Sequence, residues 1–319
     1  MSIGRRWKGL VGATGLAVVL ALAFGGGDGH AQTQLKGWGT PVNMGSVINS
    51  EFNDDLPHLS QDGASLYFIS NRNPAAPADF DIYVSHRLNG LWRRPRKLGP
   101  NINTTFNERG PCLSPDGHYL FFSSDRTDLP GSSGSTQDLW VSYRADVTDD
   151  GGWQVPVNLG SAINTPDHDF GAALLGDPDG KLSALLFARR VGGVQAQADI
   201  YLSPYVHGSF RPATLVEELN SPEDDLRPTI RPDGLQLFFS SNRPGSAKND
   251  IWVSTRADIF SPWSTPVNVG RPINTEFEER VPAVSADGQM LIFSSDRPGS
   301  LGSGTVDLWV STRQKIVWP

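Results

Sequence analysis

The chain has almost no cysteine. One, Cys112, stands among 319 residues, which excludes an internal disulfide framework and any zinc site built on several cysteines. Basic charge is also short: 27 Lys and Arg face 34 Asp and Glu, for a formal charge of −7. That argues against nucleic acid as a partner, since phosphate binding needs a basic surface. Charged residues make up only 19% and hydrophobic ones 38%, which fits neither a highly charged disordered chain nor a membrane-embedded one. No nucleophile elbow, phosphate loop, zinc motif or calcium-binding EF-hand loop is present. Turn formers, in contrast, are abundant. Gly (34) and Pro (24), with nine Trp, point to a turn-rich all-β chain with few long helices.

The first 31 residues read as a secretory signal peptide. Arg5, Arg6 and Lys8 precede an uncharged, mostly apolar run from Leu10 to Phe24, and Gly29-His30-Ala31 offers small residues at a cleavage site. The run is short for a span, which takes about 20 residues. The expected mature protein is one domain over residues 32–319, periplasmic or secreted, with no membrane span after cleavage.

Laid on itself, the mature chain shows five repeats. Their starts are W-G-T-P-V-N-M-G at Trp38, W-R-R-P-R-K-L-G at Trp92, W-Q-V-P-V-N-L-G at Trp153, a degenerate F-R-P-A-T-L at Phe210, and W-S-T-P-V-N-V-G at Trp263. Each is followed by an I-N or L-N step, a proline-led segment such as P-x-L-S in four of the five, an Asp-Gly pair, an apolar run such as L-F-F-S-S, an arginine, and an Asp-led D-I/L-W/Y-[VL]-S stretch. Asp-Gly favours a tight hairpin turn, because Gly accepts the positive φ such turns need. The segments predict four strands per unit: P-x-L-S, the apolar run, the Asp-led stretch, and W-x-x-P. Five such units predict a five-bladed β-propeller of four-stranded antiparallel blades. The repeat begins in phase with a fourth strand and ends after a third. The segment from Trp38 to Met44 is therefore expected to complete the last blade against Leu308 to Ser311, removing two exposed edges.

The units L-S-P-D-G-H-Y-L-F-F-S-S-D-R at Leu113 to Arg126, S-A-D-G-Q-M-L-I-F-S-S-D-R at Ser285 to Arg297, and the D-L-W-V-S strands resemble the TolB-like (WD40-like) β-propeller repeats of exported bacterial proteins. The resemblance covers nearly the whole mature chain. It implies a scaffold for contacts in the cell envelope, although five units differ from the six-bladed ring of the name-giving member.

The repeated charges are the first site candidates. Five residues after the Asn of each I-N or L-N step stands an acid: Asp54, Glu108, Asp169, Asp225 and Glu279. Arg72, Arg126, Arg189, Arg243 and Arg297 close the second strands, and Asp81, Asp138, Asp199, Asp250 and Asp307 open the third. All lie at one end of their blades. Fivefold repetition reads most simply as a structural salt-bridge cluster, for which bidentate arginine is well suited. The competing reading is a carboxylate ring around a funnel that takes a sugar or a cation such as calcium. No metal site and no cofactor are otherwise indicated.

Function is expected where the repeats differ. Unit three lacks the P-x-L-S strand and reads D-H-D-F-G-A-A-L-L-G, which places Asp167 and His168 beside Asp169. A His between carboxylates suits a general base or a ligand, though a solvated loop residue is the simpler reading. His58 takes a strand position held elsewhere by Cys112, Ala173, Thr229 and Ala283, and is read as packing. Cys112 is read as a small buried apolar residue. Asp55, Arg109, Arg227 and Arg280 put both charge signs at the funnel mouth, which favours a polar ligand. Two functional classes follow. One is a monomeric, non-catalytic propeller binding a protein or glycan partner in the cell envelope. The other is a carbohydrate-active hydrolase or lyase with its site in the funnel. Five-bladed propellers host glycoside hydrolases, and those need two carboxylates about 5–9.5 Å apart.

Overall fold

The computed structural model describes residues 35–316 apart from 76–77, 133–135, 178–180 and 194–195. The expected signal peptide, the Asp-Gly pair at Asp179 and the terminal Trp318-Pro319 lie outside the described residues. The chain forms five antiparallel sheets arranged as a five-bladed propeller. The inner strands are Asp54–Leu59, Glu108–Leu113, His168–Gly176, Asp225–Ile230 and Glu279–Val284. Each lies against the inner strands of both neighbouring blades, so they close a ring around the axis.

The second strands, Ser65–Ser70, Tyr119–Ser124, Leu182–Arg190, Gln236–Ser241 and Met290–Ser295, are nearly continuous apolar runs because both their faces are covered by adjacent blades. The core accordingly lies in five seams. Tyr67, Ile82, Phe122 and Trp140 fill the seam of blades 1 and 2, and Leu186, Ile200, Leu237 and Phe239 that of blades 3 and 4. Comparable clusters fill the other three.

The fourth strands differ from expectation. They are dipeptides just beyond the W-x-x-P segments, Val42–Asn43, Arg96–Lys97, Val157–Asn158, Thr214–Leu215 and Val267–Asn268, joined in two blades by Leu91–Trp92 and Ser209–Phe210, which pair within the expected segments. Proline lacks the N–H a ladder needs, and the Trp side chains are used otherwise. Trp38, Trp153 and Trp263 lie under the guanidinium groups of Arg313, Arg144 and Arg256 at 4.0, 4.3 and 4.4 Å. The first and second strands also begin or end one to three residues away from the expected segments. The inner strands start at the repeated acid, or one residue before it in unit three, not at the proline, and unit three does not lack one. Its inner strand of nine residues is longer than the six of the other four.

Ring closure follows the repeat phase. Val42 pairs with Val310 and Asn43 with Trp309. Around them, the Gly39 N–H donates to the Thr312 carbonyl, Met44 N–H to Leu308, and the Ser311 hydroxyl to Gly39.

Candidate functional site

One end of the propeller carries the repeated acids, and all five are enclosed. Each takes its blade's arginine: Asp54 with Arg72, Glu108 with Arg126 at 3.0 Å, Asp169 with Arg189 at 2.6 Å, Asp225 with Arg243, and Glu279 with Arg297 at 2.9 Å. Their other lone pairs accept the backbone N–H and hydroxyl of Ser50, Thr104, Thr165, Ser221 and Thr275. The arginines also donate to the carbonyls of Ile48, Ile102, Ile163, Leu219 and Ile273. Each guanidinium lies over two aromatic rings, as Arg126 does over Phe122 and Trp140. Burial lifts the carboxyls of Glu108, Asp169 and Glu279 above their ordinary range, against the pull of their arginines and hydrogen bonds.

The acids that open the third strands do not join these pairs as expected. Asp81 takes Lys97 at 2.7 Å. Asp138, Asp250 and Asp307 accept from the fourth-strand amides of Asn158, Asn268 and Asn43. Burial raises the Asp199 carboxyl, with Asp225 and Asp224 adding to it. Register explains the difference. Asp81 pairs across from Ser70, outward from the axis, where the fourth strand is the nearer neighbour.

The residue before each acid forms a tie that the repeat pattern hides. Asn53, Asn107, His168 and Asp224 each accept an N–H at the start of the third strand of the preceding blade, from Val306, Phe80, Gln137 and Ala198. In the fifth, Glu278 accepts from the Asn249 amide. His168 therefore fills a seam position through Nδ1, and Asp167 accepts the Gly192 N–H. Neither lines the axial cavity. The residue types vary while the bond stays, so only a shared acceptor capacity could have marked the position. The Asn of each I-N or L-N step is a second unforeseen device. Its side chain accepts from and donates to the backbone of the third strand, as Asn103 does with Ile82.

The inner strands carry a bulge two residues past each acid. Leu56, Gly110, Gly171, Arg227 and Val281 there all have φ between 51° and 70°. For Leu, Arg and Val this region is costly, and such strain persists only where the surroundings hold it. Ser294 and Ser240 of the preceding blades accept the N–H of Leu56 and Val281. The bulge re-aims the strand at the axis.

Here the structure brings Asp55, Arg109, Arg227 and Arg280 together. Arg280 pairs with Asp55 at 2.8 Å. Arg109 lies over the Phe80 ring at 4.5 Å, and Arg227 over Phe170 at 5.3 Å. The Arg227 side chain passes over Gly171 and reaches toward Gly110, where a Cβ would stand 3.2 Å from Arg227 Cγ and 3.5 Å from its Nη1. Burial lowers the Arg227 guanidinium to about 9, Asp55 opposing and Arg109 and Arg280 adding. Burial alone would raise the Asp55 carboxyl, but Arg280, the Ser294 hydroxyl and Arg227 hold it below its usual range.

From the bulges a cavity of about 120 Å³ runs along the inner strands, and of this cluster only Arg227 lines it. His58 and Cys112 line it. Burial pushes the Cys112 thiol up to about 12, which removes it as a nucleophile. His58 Nε2 accepts the Leu113 N–H of the next blade at 3.0 Å. Burial lowers its imidazole to about 4, against about 6.5 in an unfolded chain. Stability that depends on neutral His58 is fully present above pH 6.5 and is lost as pH falls toward 4. The expected loss is up to about 3 kcal/mol. Melting temperatures measured across this range should show the acid limb, and His58→Thr should flatten it. An equally steep limb in the variant would assign it to other groups.

Among the described residues, no group of three His, Cys, Asp or Glu side chains is placed to hold a metal ion, and no helix is long and apolar enough to cross a membrane.

No family model matches the chain, and no curated protein matches it. Solved structures do. A thermostable family-43 glycoside hydrolase is similar with 12% identity, 86% of this chain and 93% of that one covered, and a TM-score of 0.54. A family 117 glycoside hydrolase from Zobellia galactanivorans is similar at 12% identity over 90% and 95%, with a TM-score of 0.54. A putative TolB from Agrobacterium tumefaciens has 15% identity over 89% and 100%, with a TM-score of 0.49. At such identities the likeness to the hydrolases is one of fold: the chain is a five-bladed β-propeller of the architecture those enzymes also use.

Proposed function

We propose that this propeller is a non-catalytic binding protein, acting in the periplasm or outside the cell, whose ligand sits on the axis at the acid-bearing end. The observation that carries the reading is the state of the carboxylates there. Glycoside hydrolysis needs two carboxylates facing each other across a sugar. All five repeated acids are instead closed off by arginines and Ser or Thr, and Asp55 is paired with Arg280. What meets at the axis is Asp55 with Arg109, Arg227 and Arg280, of which Arg227 also lines a narrow cavity. Pockets of this kind, with a few polar groups at one end, are the usual form of a ligand site. The signal-peptide pattern of residues 1–31 supports export.

The test pairs a thermal-shift screen with a product assay. The mature protein is screened against neutral and acidic glycan fragments, and arabinan and xylan digests are followed by release of reducing ends. The expected outcome is a melting-point rise with at least one fragment and no product. A ligand at 100 times its dissociation constant adds about 2.7 kcal/mol. Product release that disappears in Asp55→Asn would establish the hydrolase reading instead.

A further inference from the structure

We infer that the axial mouth is an oxyanion site, formed by Arg109, Arg227 and Arg280 from three different blades, that takes a carboxylate, sulfate or phosphate group of a small ligand. The inference rests on the binding reading above and names the chemistry of what binds. Its first support is the pairing. Arg280 binds Asp55 at 2.8 Å, while Arg109 and Arg227 have no ion pair among the described residues; Asp125 acts on Arg109, and Glu278 and Asp296 on Arg280, only at longer range. The acids around the rim make their direct contacts with other groups. Asp224 holds Arg190 at 3.1 Å, Asp296 accepts the Glu278 N–H, and Asp125 accepts from Asn107.

The second support is unspent donor capacity. Arg109 Nε, Arg227 Nη1 and Arg280 Nε are buried and meet no hydrogen-bond partner among the described residues. Buried donors are rarely left so, because each unmade bond costs the group's desolvation. An oxyanion offers several acceptor oxygens and the opposite charge, and charge-assisted bonds from arginine are the strong ones.

The third support is the way Arg227 is installed. It holds φ 55° where blades 2 and 3 use glycine, and those two glycines leave the space its side chain crosses. The positive φ is common to the bulge in all five blades, with Leu56 and Val281 at the same position; what is particular to blade 4 is a guanidinium there, crossing the space that two glycines leave.

The test is calorimetric titration with digalacturonate, neutral digalactose, inorganic phosphate and sulfate, at low and at high salt. Digalacturonate or one of the inorganic anions is expected to bind at least tenfold more tightly than digalactose, and to weaken as salt rises. The inorganic arms separate a tetrahedral group from a sugar carboxylate. Arg227→Gly keeps a backbone suited to positive φ and is expected to reduce anion affinity at least tenfold without lowering the melting temperature. Arg109→Gln, which leaves the bulge untouched, should weaken it in the same direction. Anion affinity unchanged in both variants, or no anion bound at all, overturns the oxyanion site. Digalactose bound as tightly as digalacturonate, in the unaltered protein and in both variants, overturns it too, but leaves the binding reading standing.

Discussion

Removal of residues 38–45 is expected to cost at least about 5 kcal/mol, from lost apolar burial and backbone hydrogen bonds. The segment supplies the only strand that the last blade does not obtain from its own repeat among the described residues. With it go the stacking of Trp38 under Arg313, the ladder at Val42 and Asn43, and the bond from the Asn43 amide to Asp307. The third strand, Asp307–Thr312, becomes an open edge. The stability of a domain is commonly about 5–15 kcal/mol, so the truncated ring is expected to melt roughly 10 °C or more below the full one, and to aggregate on heating. Scanning calorimetry of both forms checks this. A melting temperature within a degree or two of the full form would contradict the closure.

Arg126→Ala is expected to destabilise by about 3–5 kcal/mol, the range for leaving one partner of a buried ion pair alone. The Arg126 side chain is 1% exposed and that of Glu108 0%. The change also removes the bond to the Ile102 carbonyl and the packing on Phe122 and Trp140. Pairing Arg126→Met with Glu108→Gln removes both charges and should recover more than half of the loss, since a buried pair is often no better than an apolar replacement. Denaturant unfolding of the single and double variants measures this. A double variant as unstable as Arg126→Ala would place the cost in the lost arginine bonds and not in the stranded carboxylate.

The parts of the fold legible in the sequence are those that recur. Blade number, blade order and closure follow from five copies of one pattern and its phase. The acid–arginine pairs follow from their fixed spacing. What stayed hidden is what recurs in geometry but not in residue type. Asn53, His168 and Glu278 look unrelated, yet each offers a side-chain acceptor to the preceding blade. His168, isolated in the sequence as a candidate base, is a seam tie. Leu56 and Val281 read as ordinary strand residues, and only Gly110 and Gly171 hint that the position is left-handed. The W-x-x-P segments mark the fourth-strand position only in part: each bonds to the third strand near its aromatic residue, but the ladder resumes past the proline, and the aromatic period also marks stacking against arginine. The axial cluster was legible only as mixed charge at the mouth. That arginine prevails there depends on the bulge, which turns Arg227 toward the cluster.

The charges of this propeller fall into two sets: repeated pairs that hold the blades, and unrepeated axial arginines that the proposal gives to a ligand. The melting temperatures of Arg227→Gly and Arg126→Ala, measured side by side with no ligand added, separate the two. Arg227→Gly is expected to melt at or above the unaltered protein, since glycine relieves the positive φ and a buried cation is removed. Arg126→Ala is expected to melt far below. A fall in Arg227→Gly as large as that in Arg126→Ala would make the axial arginine part of the framework and remove the division.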